Sequence, residues 1–277
     1  MKAPGTNCGD LSLDTLEHFQ RSIKVDLIMT SRQQVMTCRR EETVADIKKR
    51  NKGKFSYLPV VDDEERIVGL YNADQSCESD AQQEQIGKNF IPFSEVVVIG
   101  ADASIIDFVL TADKQPTRLV ISGDQVTGLV NLTDLQKLPV RAALFALITR
   151  LEIAMADEIE NEFPSVNAET PGWFGYLSKG RKDKILQTAH GAKDNDGFVS
   201  YIHFSQFSDK ADILMKMNVF TESKGLKTRF KTIRKLRDAI AHANHYATSP
   251  CEALKTCETV KSILQLTNHL IANSSEK

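Results

Sequence analysis

The spacing of hydrophobic and polar positions changes once along the chain. In the first half, apolar residues come in short runs bounded by turn residues. Tyr57-Leu58-Pro59-Val60-Val61 and Ile67-Val68-Gly69-Leu70-Tyr71 form one pair; Arg118-Leu119-Val120-Ile121 and Val126-Thr127-Gly128-Leu129-Val130 form another, preceded by Val96-Val97-Val98-Ile99. Runs of this length predict buried strands. Thr43 and Ser104 stand as N-caps before the runs that begin Val44-Ala45-Asp46-Ile47 and Ile105-Ile106-Asp107-Phe108, which predicts a helix in each place. The whole pattern occurs twice, about sixty residues apart, each copy reading β-α-β-turn-β-α. A unit this small cannot bury both faces of its sheet alone, so the two copies are expected to pack together. The polar segment between them, residues 73–90, reads as a helix and linker.

After Lys137 the period becomes three to four. Val140, Leu144, Leu147, Leu151, Met155 and Ile159 follow Pro139, a residue suited to a first helical turn, and predict a long amphipathic helix. Shorter helices are expected around 178–190 and 196–217, with a last one from Cys251 to Ala272. Trp173-Phe174-Gly175-Tyr176 lacks interleaved basic residues and is expected to pack in the core. Thr228–Ala247 contains neither Gly nor Pro and predicts one helix. Its wheel puts Ile233, Leu236, Ile240, Ala243 and Ala247 on one face and Arg234, Asp238, His242 and His245 on the other, with Arg237 and Asn244 on the flank. The expected organisation is an N-terminal arm at 1–22, an α/β pair of repeats at 23–138 (about 23–76 and 91–138) and an all-α bundle at 139–277.

Composition adds little to this picture. The 277 residues carry a formal net charge of -2, so any polyanion contact must come from a local patch. Five cysteines, none in a CxxC pair, fit reduced thiols and a cytoplasmic location. No apolar stretch approaches a spanning helix, and no signal peptide opens the chain, so no membrane association is expected.

The paired pattern, with Val25-Asp26-Leu27-Ile28-Met29-Thr30 as its lead-in, resembles a tandem of cystathionine β-synthase (CBS) domains. The family closes each repeat with Gly, two apolar residues, Ser or Thr, two variable residues and Asp. Here the second copy reads Gly128-Leu129-Val130-Asn131-Leu132-Thr133-Asp134, and the first reads Gly69-Leu70-Tyr71-Asn72-Ala73-Asp74-Gln75, with Gln75 at the aspartate position. The resemblance implies an adenosine-containing regulatory ligand such as AMP, ATP or S-adenosylmethionine. Arg118, Asn131, Thr133 and Asp134 are its candidate ligand residues, a carboxylate suiting a diol and a guanidinium a phosphate. The alternative is a structural or dimerising module in which Asp134 only caps the helix that starts after the third strand.

Arg237-Asp238-Ala239-Ile240-Ala241-His242 resembles the Arg, four to six residues, His motif of HEPN domains. That resemblance implies a dimeric, metal-independent endoribonuclease acting on RNA, with Arg237, Asp238 and His242 as catalytic residues. A histidine can move the 2'-hydroxyl proton and an arginine can stabilise charge on the phosphoryl oxygens. Lys224, Lys227, Arg229, Lys231, Arg234 and Lys235 supply a local cationic patch. Asp238, His242 and His245 lack a fourth partner for a metal, and none is assigned. The alternative on the same two domains is a noncatalytic sensor, dimerisation module or adaptor.

Overall fold

A computed structural model describes residues 8–74, 82–163, 170–193, 200–220 and 224–275. The chain divides into two compact units. One comprises Arg21–Val140 with Ala247–Cys257; the other comprises the described parts of 1–20, 141–246 and 258–277.

In chain order the elements are α1 (Cys8–Ser22), β1 (Thr30–Ser31), β2 (Cys38–Arg39), α2 (Val44–Arg50), β3 (Tyr57–Val61), β4 (Ile67–Asn72), β5 (Phe90–Pro92), β6 (Val98–Gly100), α3 (Ile105–Thr111), β7 (Thr117–Ser122) and β8 (Gln125–Asn131). The helical remainder is α4 (Leu138–Glu162), α5 (Lys179–Lys193), α6 (Phe207–Lys216), α7 (Leu226–Ala241) and α8 (Pro250–Ser275).

The α/β unit holds two four-stranded sheets, ordered β2-β3-β4-β5 and β1-β8-β7-β6. In each, the repeat's first strand runs parallel to its second, and the second and third form an antiparallel hairpin. The fourth strand is exchanged: β5, which leads into the second repeat, pairs with β4, and β1, which leads into the first, pairs with β8. This explains the glycine that both copies share. A Cβ on Gly69 would collide with the Ile91 carbonyl oxygen, and one on Gly128 would lie 2.5 Å from that of Thr30, so only glycine admits the incoming strand.

Thr43 caps α2 through its hydroxyl, which accepts from Asp46 N, while the Asp46 carboxylate returns the bond to Thr43 N. Ser104 caps α3 by accepting from Ile106 N at 3.2 Å. Leu70 packs with Val97, Leu119 and Leu129, joining the two repeats in one core. After β8 the expected α-helix is a 3-10 turn, Leu132–Gln136, which ends where Lys137 takes an extended conformation ahead of α4. Of the segment 73–90, residues 75–81 lie outside the described ones, Gln75 among them, and the described remainder carries a 3-10 turn at Ile86–Lys88 and β5.

The helical unit is built on α4, whose Leu144, Leu147, Leu151, Met155 and Ile159 are all buried at the expected spacing. Trp173 and Phe174 are buried edge to face, 4.6 Å between centroids. Phe230 of α7 meets Phe207 of α6 at 6.1 Å and Phe220 at 5.9 Å. The expected helix at 196–217 is a 3-10 turn, Tyr201–Phe204, and then α6, with 194–199 outside the described residues.

The helix expected over 228–247 ends at Ala241. Ala243 adopts φ 55°, Asn244 N donates to Ala239 O at 2.8 Å and Ala243 N to Ile240 O at 3.3 Å, the paired bonds that close a helix at a left-handed residue. Arg141 then donates to the carbonyls of Ala239, Ile240 and Asn244 at 3.1, 3.1 and 2.8 Å. Ala243 is therefore exposed rather than on the apolar face, whereas Ile233, Leu236 and Ile240 are buried as expected. Among the described residues, no helix is long and apolar enough to cross a membrane.

Candidate functional site

The α/β unit encloses a cavity of about 620 Å³, a volume in the range of small-molecule and cofactor sites. Both repeats line it. The lead-in segment, β3 and β8 supply apolar surface through Val35, Met36, Leu58 and Leu129. Polar lining groups include Asn131 and Thr133 where β8 gives way to its 3-10 turn, Asp74 beyond the end of β4, Asp113 after α3, and Lys54 in the loop before β3. Among the described lining residues Lys54 is the one cation, and its backbone holds φ 51°, uncommon for a side chain of this kind.

Two of the four candidate ligand residues lie on this wall. Asn131 Oδ1 accepts from Thr133 N at 2.8 Å and from the Thr133 hydroxyl at 2.5 Å, fixing both side chains on the cavity wall. Asp134 and Arg118 are not among the lining residues. Asp134 is buried, accepts from Asn131 N at 2.7 Å and pairs with Lys137 at 2.8 Å, and its burial raises its pKa above the usual carboxylate value despite those partners. Arg118 donates to Val98 O at 3.3 Å from a half-buried position, and burial lowers its pKa.

The sequence reading missed Lys54 and Asp74. Counting along the closing motif points to Gln75. Asp74 lies one residue before that position and beyond the end of β4, where the strand period no longer applies. Lys54 follows Gly53 at the turn into Tyr57-Leu58-Pro59 and carries no chemical signature in the sequence.

In the helical unit, Arg237, Asp238 and His242 fall at the end of α7 but are not joined side chain to side chain as a set. Arg237 Nε lies 3.0 Å from Glu152 Oε1, and Arg237 Nη1 lies 3.4 Å from Asp238 Oδ1. The bond between residues 238 and 242 is a backbone one, His242 N to Asp238 O at 3.0 Å. His242 and His245 are exposed, past the last helical residue. Lys227, Lys231, Arg234 and Lys235 are exposed at i, i+4, i+7 and i+8, one continuous stripe on α7. Lys210 is buried beside this end of the helix, donating to Ser205 O at 3.0 Å, and burial lowers its pKa. Arg181 holds Asp209 by two side-chain bonds. Among the described residues, no three His, Cys, Asp or Glu side chains are placed to hold a metal ion.

No curated relative matches the chain. Among solved structures, the CBS domain of a bacterial CNNM/CorC family Mg2+ transporter in complex with ATP is 17% identical, covering 48% of this chain and 96% of its own, with a TM-score of 0.39. A hemolysin-like protein containing a CBS domain from Oenococcus oeni PSU is 16% identical over 44% of this chain and 94% of its own, with a TM-score of 0.36. CBSX2 in complex with AMP is 23% identical over 44% and 96%, with a TM-score of 0.35. The family model described as CBS domain matches residues 23–74, so the chain carries a CBS domain at the start of its α/β unit.

Proposed function

We propose that this chain is a ligand-responsive regulatory protein whose α/β unit binds an adenine nucleotide in the cavity between its repeats. The observation that carries this reading is the cavity itself, of about 620 Å³, lined by both apolar and polar side chains, in a unit whose residues 23–74 match the CBS family model. Val35, Met36 and Leu129 suit the faces of a base, Asp74 offers two acceptors to a ribose diol, and Lys54 with the Thr133 hydroxyl suits a phosphate. The helical unit is the output half, a homodimerising adaptor.

Thermal unfolding of the purified chain with AMP, ATP and S-adenosylmethionine tests this. A ligand at about a hundred times its Kd stabilises the folded state by about 2.7 kcal/mol, and at least one of the three is expected to raise Tm accordingly. Lys54→Ala is expected to reduce the response to AMP and ATP while leaving that to adenosine. The absence of any shift would reject the nucleotide reading.

A second reading makes the helical unit a metal-independent endoribonuclease of the HEPN type with Arg237, Asp238 and His242 as its catalytic residues. The exposed stripe Lys227, Lys231, Arg234 and Lys235, which leads toward Asp238 and His242, favours it through the charge it offers an RNA backbone. RNA incubated with the native chain in chelator is then expected to be cut, and His242→Ala to abolish cutting. Intact RNA with native protein, with or without nucleotide, decides for the adaptor.

A further inference from the structure

The cavity is not walled by the two repeats alone. Pro250 and Leu254, four residues apart and so on one face of the first turns of α8, also line it. They arrive more than a hundred residues after Thr133, the last repeat residue on the wall, and they belong with Ala247–Cys257 to the compact α/β unit. Their position is locally fixed. The Glu252 carboxylate accepts from Thr248 N at 2.9 Å and from the Thr248 hydroxyl, while Ser249 Oγ accepts from Glu252 N at 3.3 Å. Ala253, Thr256 and Cys257 are buried on the same turns and anchor the helix, and Leu254 is left half-buried. The helix then runs unbroken to Ser275, and from Glu258 onward its buried Val260, Ile263, Leu266 and Leu270 serve the helical unit.

We infer that Pro250 and Leu254 are ligand-contacting residues, so that α8 itself reads whether the cavity is occupied; this rests on the nucleotide reading of that cavity. Two apolar side chains offer nothing to a phosphate and suit the flat face of a base or the carbon edge of a ribose. A ligand that touches them gains contacts only when the first turns of α8 are seated, and a ligand can bias a conformation only through such differential contacts. Residues 258–275 of the same helix belong to the helical unit, so a ligand that touches Pro250 and Leu254 engages the chain segment that leads into that unit. The coupling is reciprocal: whatever engages the helical unit through α8 changes nucleotide affinity by the same factor.

The test uses the full chain with Cys8 and Cys77 replaced by serine. Cys251, exposed on the same first turn as Pro250, then serves as the probe, since Cys38 and Cys257 are buried and burial pushes the Cys38 thiol up to about 12. Alkylation of Cys251 is measured with and without saturating AMP or ATP, and nucleotide affinity is measured for native, Leu254→Ala and Leu254→Met chains. Nucleotide is expected to slow alkylation several-fold. Leu254→Ala is expected to weaken binding roughly tenfold, as removal of apolar contact in a pocket does, and Leu254→Met to retain affinity near the native value. Native-like affinity in Leu254→Ala together with an unchanged Cys251 rate would overturn the inference while leaving the nucleotide site intact. A native chain that binds neither AMP nor ATP would overturn the nucleotide reading, and this inference with it.

Discussion

Asp134 shows how a residue that invites a functional reading can be occupied by local structure. Its Oδ2 accepts from Asn131 N and its Oδ1 pairs with Lys137, closing a reciprocal cap on the turn after β8. Burial still dominates, and its pKa in the folded chain lies above the unfolded value. A raised carboxylate pKa means that the folded state binds the proton more tightly. The stability linked to this group is therefore fully present below the unfolded pKa and lost as pH rises through the folded one. Native chain is expected to gain stability relative to Asp134→Asn as pH falls from neutral into the carboxylate range. Urea unfolding of both proteins at neutral and mildly acid pH measures this, and a difference that stays flat or moves the other way contradicts it. At this scale the sequence shows which residues form the turn, and Asn131 and Thr133 do reach the cavity. It does not show which way a carboxylate turns once its neighbour is a lysine three residues on, nor that Lys54 sits in a left-handed conformation on the cavity wall.

Helix α7 is the element whose end the sequence hides. Nothing local stops it, since no glycine or proline lies between Thr228 and Ala247, and the apolar period continues past the true end. The helix stops because Ala243 takes φ 55° and because Arg141, about a hundred residues earlier, donates to the carbonyls that would otherwise continue it. Arg141 also stacks over Tyr246 at 5.2 Å, and burial pushes that phenol up to about 12. A distant partner of this kind has no trace in a local pattern. An alanine in the left-handed region costs about 1–2 kcal/mol, partly offset in a glycine variant by greater freedom of the unfolded chain. Ala243→Gly is therefore expected to stabilise the protein by about 0.5–1 kcal/mol in chemical denaturation; a loss of stability would contradict this account of the helix end. The helices that were legible are those whose burial is continuous and whose caps are local: α4 with its buried stripe, and α2 and α3 behind Thr43 and Ser104.

At the scale of the whole molecule, the internal echo in the first half conveyed the two repeats because each strand pair is made from adjacent sequence. The exchange of β1 and β5 between sheets was less visible, although Gly69 and Gly128 mark the places where those strands approach. Least visible was the return of residues 247–257 to the α/β unit, since contacts at long sequence separation leave no periodic signal. That return makes one helix a shared member of both units and puts Leu254 on the wall of the cavity. If this cavity is a nucleotide site, a crystal structure of the full chain grown with ATP will hold the base against Met36 and Leu129 with its phosphates toward Lys54 and Thr133; ATP bound outside this cavity, or a cavity that stays empty at saturating nucleotide, contradicts the nucleotide reading.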